Sequence, residues 1–222
     1  MTHGRAEEAG GTDRQPSQIV QRGYDAAANT HLEWINRIEG DPRMHYVARL
    51  MDCLQPGARV LEMGCGAGVP ITAALASRFE VVGIDLSAAQ LALARERVPR
   101  PTFIQADMST FISEKPLDAV VAAYSITHVP RNTHAALFSR IASWLRPGGF
   151  FLASLGAGGC PDTVEEWLGV PMFFSSFDAA RNRQLLRAAG FELIIDDVVT
   201  MQEPEGPATF LWVLCRRTIP TE

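Results

Sequence analysis

Near the start of the chain the apolar positions recur every three or four residues. Ile19, Val20, Tyr24, Ala27, Ala28, Leu32 and Ile35 share one side of a predicted helix, which Gly40-Asp41-Pro42 interrupts. A second helix is predicted over 43–54, ahead of the turn Pro56-Gly57. The pattern then shortens into apolar runs divided by helical stripes. Strands are predicted at 59–63, 80–84, 102–105, 117–123 and 150–155. Helices at 70–78, from the capping box Ser87-x-x-Gln90 to about 97, and at 133–145 stand between them. Unbroken apolar strands separated by helices indicate a mainly parallel sheet covered on both faces. The stretch 156–176, rich in glycine and aromatics, reads as irregular. A helix at 178–189 and two runs, 191–199 and 209–216, close the chain as an antiparallel hairpin. The expected fold is α/β: a doubly wound seven-stranded sheet, mostly parallel, with a C-terminal antiparallel hairpin and N-terminal helices.

Length limits the number of units. At 222 residues and 47% hydrophobic content, one well-filled domain is expected over 17–222, behind a disordered tail at 1–16. Within it, 17–55 forms a helical cap, 56–155 the ligand-binding core and 156–177 a lid segment on the substrate side. Charge adds an exclusion: 20 Lys+Arg against 25 Asp+Glu gives −5, without a basic run, so no nucleic acid partner is expected. Cys53, Cys65, Cys160 and Cys215 are scattered without C-x-x-C pairing, which argues against disulfides and a zinc site. The first residues lack an apolar signal region, and no run approaches the ~18 apolar residues of a membrane span. A cytoplasmic protein, monomer or homodimer, with no membrane partner is expected.

Candidate chemistry begins at Val60-Leu61-Glu62-Met63-Gly64-Cys65-Gly66-Ala67-Gly68-Val69-Pro70. Three glycines between a strand and a helix let backbone approach a ligand closely and aim N–H groups at it. An ordinary glycine-rich turn would look the same locally. Polar residues elsewhere favour the ligand. Glu62, Asp85 and Asp107 close three successive strands, and Tyr124-Ser125-Ile126-Thr127-His128 follows the next, at the carboxyl ends where such sheets bind ligands. The dinucleotide fingerprint wants glycines at the first, third and sixth positions, but counting from Gly64 the sixth is Val69.

Glycines at the first, third and fifth positions after an acid resemble the cofactor loop of class I S-adenosylmethionine-dependent methyltransferases. Val82-Gly83-Ile84-Asp85-Leu86-Ser87, Gln105-Ala106-Asp107-Met108, Asp118 to Val121 with His128-Val129-Pro130, and Leu145-Arg146-Pro147-Gly148-Gly149-Phe150 are similar to that family's later motifs. The resemblance runs from about 24 to 216 and is nearest to the small-molecule group of ubiquinone/menaquinone-type and natural-product enzymes. It implies a Rossmann-like fold and S-adenosyl-L-methionine as cofactor, with S-adenosyl-L-homocysteine as product. It also implies roles. Gly64, Cys65, Gly66 and Gly68 pass the methionine part, with Glu62 holding the loop. Asp85 takes the ribose hydroxyls, Leu86 and Met108 sandwich the adenine, and Asp107 accepts from its amino group. Tyr24 closes over the cofactor, and Tyr124 lies beside it.

Methyl transfer from a sulfonium needs alignment and desolvation more than proton chemistry. His128, whose ordinary pKa of about 6.5 suits proton removal, is the candidate catalytic base, with loop orientation as its other reading. His134 is expected at the surface, and His31 and His45 on a solvated helix face, with lining the pocket from above as their other reading. Trp167, Phe173 and Phe174, with His128, are the expected walls of a small-molecule pocket. No metal cluster is expected. An RNA or protein methyltransferase is the alternative, although the Asn/Asp-Pro-Pro-Tyr type of motif is missing where Tyr124-Ser125-Ile126-Thr127 stands. A non-catalytic cofactor-binding subunit is the other.

Overall fold

The computed structural model describes residues 15–218. The expected tail at 1–16 lies outside them except for Gln15 and Pro16, and Pro16 already opens the first helix, α1 (Pro16–Ile35). Then follow α2 (Arg43–Cys53), β1 (Arg59–Met63), α3 (Ile71–Ala76), β2 (Glu80–Asp85), α4 (Ala88–Arg97), β3 (Thr102–Gln105) and β4 (Leu117–Ala122). The second half runs α5 (His134–Trp144), β5 (Leu145–Gly156), β6 (Cys160–Trp167), β7 (Val170–Ser176), α6 (Ala179–Ala188), β8 (Phe191–Glu203) and β9 (Gly206–Arg217). Local signals start the helices as their chemistry requires: Ser87 Oγ accepts from Gln90 N at 3.1 Å and Asp178 Oδ1 from Arg181 N at 2.7 Å.

The seven-stranded sheet has the order β3-β2-β1-β4-β5-β9-β8. Pairings among β1 to β5 are parallel, and β9 is antiparallel to both β5 and β8. Because β1 lies between β2 and β4, strand order reverses beside it, and a crevice opens there at the carboxyl ends. Apolar layers cover both faces: Leu137, Phe138, Ile141 and Phe151 centre one, and Leu50, Val60, Leu75 and Trp212 the other. Trp212 stacks on Tyr46 at 4.7 Å between ring centroids, and the Tyr46 hydroxyl donates to Asp197 at 3.0 Å.

Two sequence expectations are corrected. The stretch 156–176 is regular: β6 and β7 pair as a separate antiparallel ribbon. Its turn is Leu168-Gly169, with φ of +52° and +77°, a mirror-type two-residue loop that normally advertises itself with Asn or Gly at the first position. Leucine there hides the turn, and Pro161 and Pro171 look like breakers although a two-stranded ribbon has only edge strands. His134 is buried, not on the surface. Its Nε2 bonds the Val129 carbonyl at 2.9 Å, and its ring meets Phe138 and Phe177. A histidine opening an amphipathic helix offers no sequence sign that a neighbouring carbonyl will take its ring nitrogen.

Trp212→Ala should lower the unfolding free energy by about 3–5 kcal/mol, since it empties the centre of one apolar layer. Ile112, 71% exposed, should tolerate Ala within about 0.5 kcal/mol. Urea titrations of both variants provide the check.

Candidate functional site

A cavity of about 680 Å³ lies over the carboxyl ends of the parallel strands, roofed by α1 and the β6–β7 ribbon. One half is built by the glycine loop and the next two strand ends. Gly64 N and Cys65 N donate to the Ile84 carbonyl at 2.8 and 3.1 Å, which binds the loop to β2. Gly64, Gly66 and Gly68 have φ of +75°, +52° and +77°, a region that L side chains rarely adopt. Gly64 and Gly68 also have a spatial reason. A Cβ on Gly64 would stand 2.4 Å from Ser125 Cβ, and one on Gly68 3.2 Å from Ala94 Cβ. On Gly66 it would meet only Gln90 Oε1, at 3.7 Å, so this glycine faces open space. Gly68 therefore packs the loop onto α4 instead of lining the cavity, a correction to its expected ligand contact.

Asp85 holds the loop from the side. Its Oδ2 accepts from Gly66 N and its Oδ1 from Ser87 N, both at 2.9 Å, while burial raises its pKa. Asp25, on α1, accepts from Ser87 Oγ at 2.6 Å and Ala89 N at 3.1 Å and so ties the roof to α4. Glu62 is buried beneath the loop and accepts from Thr72 Oγ1 at 2.6 Å. Burial pushes its carboxyl from an ordinary 4.5 up to about 8. Asp107 Oδ1 accepts from Ser109 N at 2.7 Å, and Leu86, Asp107 and Met108 all border the cavity.

In the other half, three elements meet in one hydrogen-bonded chain. His128 Nδ1 bonds the Phe173 carbonyl at 2.8 Å and Nε2 bonds the Tyr24 hydroxyl at 2.9 Å. A carbonyl only accepts, so Nδ1 carries the proton and Nε2 receives the tyrosine O–H. Burial lowers the His128 pKa to about 4, which keeps this tautomer neutral. Tyr24 and Trp167 meet edge to face at 5.8 Å, and Trp167 also touches Trp34 at 5.2 Å and Phe174 at 6.3 Å. Phe173 is corrected: its side chain is buried with Val20 and Met172 away from the cavity, and it serves the site through its carbonyl. His31 is corrected too. It lines the cavity with Nδ1 3.2 Å from Gln90 Nε2, and burial, His128 and Arg43 lower its pKa to about 4. His45 is exposed.

Tyr124 has φ +55°, its N–H donates to Ser154 Oγ at 2.6 Å, and its hydroxyl donates to Asp41 at 2.8 Å. It borders the cavity, with Phe210 and Trp212 against its ring. Trp34, Arg43, Met201, Glu203 and Phe210 also border it and escaped the sequence reading. The tip of the β8–β9 hairpin brings the last three there, anchored by the bridge between Glu39 and Gln202. No local periodicity marks where a hairpin tip lands.

A reversing parallel sheet with a glycine loop after β1 and acids at the ends of β2 and β3 defines a Rossmann-like α/β fold. In sequence comparison, residues 60–149 match the family described as "Methyltransferase domain". Over 112 residues the chain is 37% identical to a trans-aconitate 2-methyltransferase of Methylobacterium nodulans, covering 49% of this chain and 40% of that protein. The match thus spans less than half the relative's length. Among solved structures, a Burkholderia thailandensis 1,6-didemethyltoxoflavin-N1-methyltransferase, with its substrate and S-adenosylhomocysteine bound, superposes with TM-score 0.71 at 21% identity, covering 93% of this chain and 92% of that one. A [4+2]-cyclase superposes with TM-score 0.69 at 18% identity, covering 93% and 98%. At these identities the likeness is one of fold.

The ionisable groups predict a pH signature. Glu62 keeps a proton in the folded state that the unfolded chain loses above 4.5, so its contribution to stability disappears as pH rises through about 8. His31 and His128 act oppositely: their contribution is full above 6.5 and is lost as pH falls towards 4. Between 6.5 and 8 only Glu62 of these three still titrates differently in the two states. Asp85 and Glu203, also raised by burial, act in the same direction as Glu62, so thermal melts over that interval should show stability falling, and Glu62→Gln should reduce the slope by up to about 1.4 kcal/mol per pH unit.

Proposed function

We propose that the chain is an S-adenosylmethionine-dependent methyltransferase acting on a small-molecule acceptor. The observation that carries this reading is the open space at Gly66, flanked by the Asp85 carboxylate at the next strand end. Bound S-adenosylmethionine supplies a methyl group already activated on a sulfonium. Gly64, Cys65 and Gly66 pass its methionine part, Asp85 takes the ribose hydroxyls, Leu86, Asp107 and Met108 hold the adenine, and Glu62 braces the loop. Tyr24 and Trp167 exclude water above the site, which strengthens every electrostatic contact within it.

His128 acts as the acceptor-side base. Its Nε2 lone pair is available at neutral pH and now engages the Tyr24 hydroxyl, which an acceptor hydroxyl or amine replaces or uses as a relay. The Phe173 carbonyl stabilises the imidazolium formed when Nε2 takes the proton. A roofed cavity of about 680 Å³ in a chain of charge −5 suits a small molecule better than RNA or a protein chain. A monomer or homodimer in the cytoplasm accords with this reading. The cyclase of the same fold favours a second one, in which the S-adenosyl site is kept without methyl transfer.

Calorimetry should register S-adenosylhomocysteine binding without added metal. Asp85→Ala should weaken it by roughly 1–3 kcal/mol, and Gly66→Val should abolish it in a folded protein. Binding of NAD(H) alone, or of neither, would overturn the assignment. With an acceptor found by screening for S-adenosylhomocysteine release, His128→Ala should cut kcat by about 10²–10⁴ with cofactor affinity little changed. A folded enzyme that binds cofactor yet releases none with any acceptor supports the second reading.

A further inference from the structure

The acceptor half of the cavity has a character that the matched family segment does not address. Trp34, Arg43, Trp167, Phe174, Glu203 and Phe210 all lie outside 60–149. Its walls are largely aromatic. Among the described residues its one guanidinium is already committed: Arg43, 8% exposed, forms an ion pair with Asp41, whose other oxygen takes the Arg43 N–H at 2.9 Å, and it lies 4.8 Å over the Tyr124 ring. The carboxylates are less committed. Glu205 accepts from Trp34 Nε1 at 3.0 and 2.8 Å. Glu203, half-buried in the wall, has neither a side-chain hydrogen bond nor an ion pair among the described residues. Glu165 and Glu166 add negative charge at the ribbon side of the opening.

Building on the methyltransferase reading, we propose that this half selects an aromatic-sized acceptor carrying a protonated amine, which meets Glu203 between the aromatic walls, and that it rejects polycarboxylates. The physics is asymmetric. A cation entering gains an unpaired carboxylate and the negative faces of tryptophan rings. An anion loses hydration and meets carboxylates, while the nearest guanidinium already has its partner. Trans-aconitate, a tricarboxylate, is by this argument a poor ligand here, although a relative named for it matches part of the chain.

The test uses the full chain saturated with S-adenosylhomocysteine and three probes: tryptamine, indole-3-acetate and trans-aconitate. Calorimetry should show tryptamine binding at least tenfold more tightly than indole-3-acetate, with trans-aconitate no tighter than the latter. Glu203→Gln should bring the two indoles within about threefold of each other, and Glu203→Lys should reverse their order. Equal or tighter binding of either anion by the wild type, no binding of tryptamine, or a preference that survives Glu203→Gln would overturn the proposal. S-adenosylhomocysteine affinity, measured in the same samples, separates the two failures. Its loss refutes the methyltransferase reading, whereas its presence without the amine preference refutes only this inference.

Discussion

A parallel sheet whose strand order reverses at β1 imposes the arrangement on which the rest of the molecule depends. Connections leaving β1 and β4 diverge, so the chain after β1 must turn sharply beside an open crevice. The turn is fastened by backbone: two N–H groups of the glycine loop converge on the Ile84 carbonyl, and the next amide is held by Asp85. Once these bonds fix the loop, the open side of Gly66, the acid beneath it and the cap of α4 follow as consequences of where the chain can go.

That dependence explains what was legible in the sequence. β1 and β3 are found at 59–63 and 102–105, where their short apolar centres and the flanking turn signals place them. The loop was readable because positive φ leaves a compositional trace, namely glycine. Its separate functions were not readable. Gly66 opens to the cavity while Gly68 packs against Ala94 and Val98, and spacing alone gives the two the same signature. The ribbon was missed for the complementary reason: Leu168 occupies a left-handed position without the residue that usually announces one.

The upper half of the site rests on tertiary contacts instead. Tyr24 comes from α1, His128 from the segment after β4, and the Phe173 carbonyl from β7, yet one imidazole joins all three. Asp25 performs the same task one residue from Tyr24, linking α1 to the start of α4. Motif spacing could nominate Tyr24 and His128 separately, but their hydrogen bond depends on how a helix, a loop and a ribbon pack. Trp34, Arg43 and Glu203 carried no signal for a related reason: in sequence they are a helix-face tryptophan, a helix-start arginine and a hairpin-tip glutamate.

The two halves are therefore specified by different physics. Cofactor-side geometry is set by backbone conformation and strand-end position, which tolerate few residue types and so leave recognisable motifs. On the proposed reading, acceptor-side character is set by side chains from α1, α2, the ribbon and the last hairpin, all outside the parallel strands. A methyltransferase and a cyclase both superpose on this chain, at 21% and 18% identity, so one fold serves different activities. On the proposed reading, the pairing of Arg43 with Asp41 and the unpaired carboxylate of Glu203 bear more directly on acceptor choice than the glycine loop does.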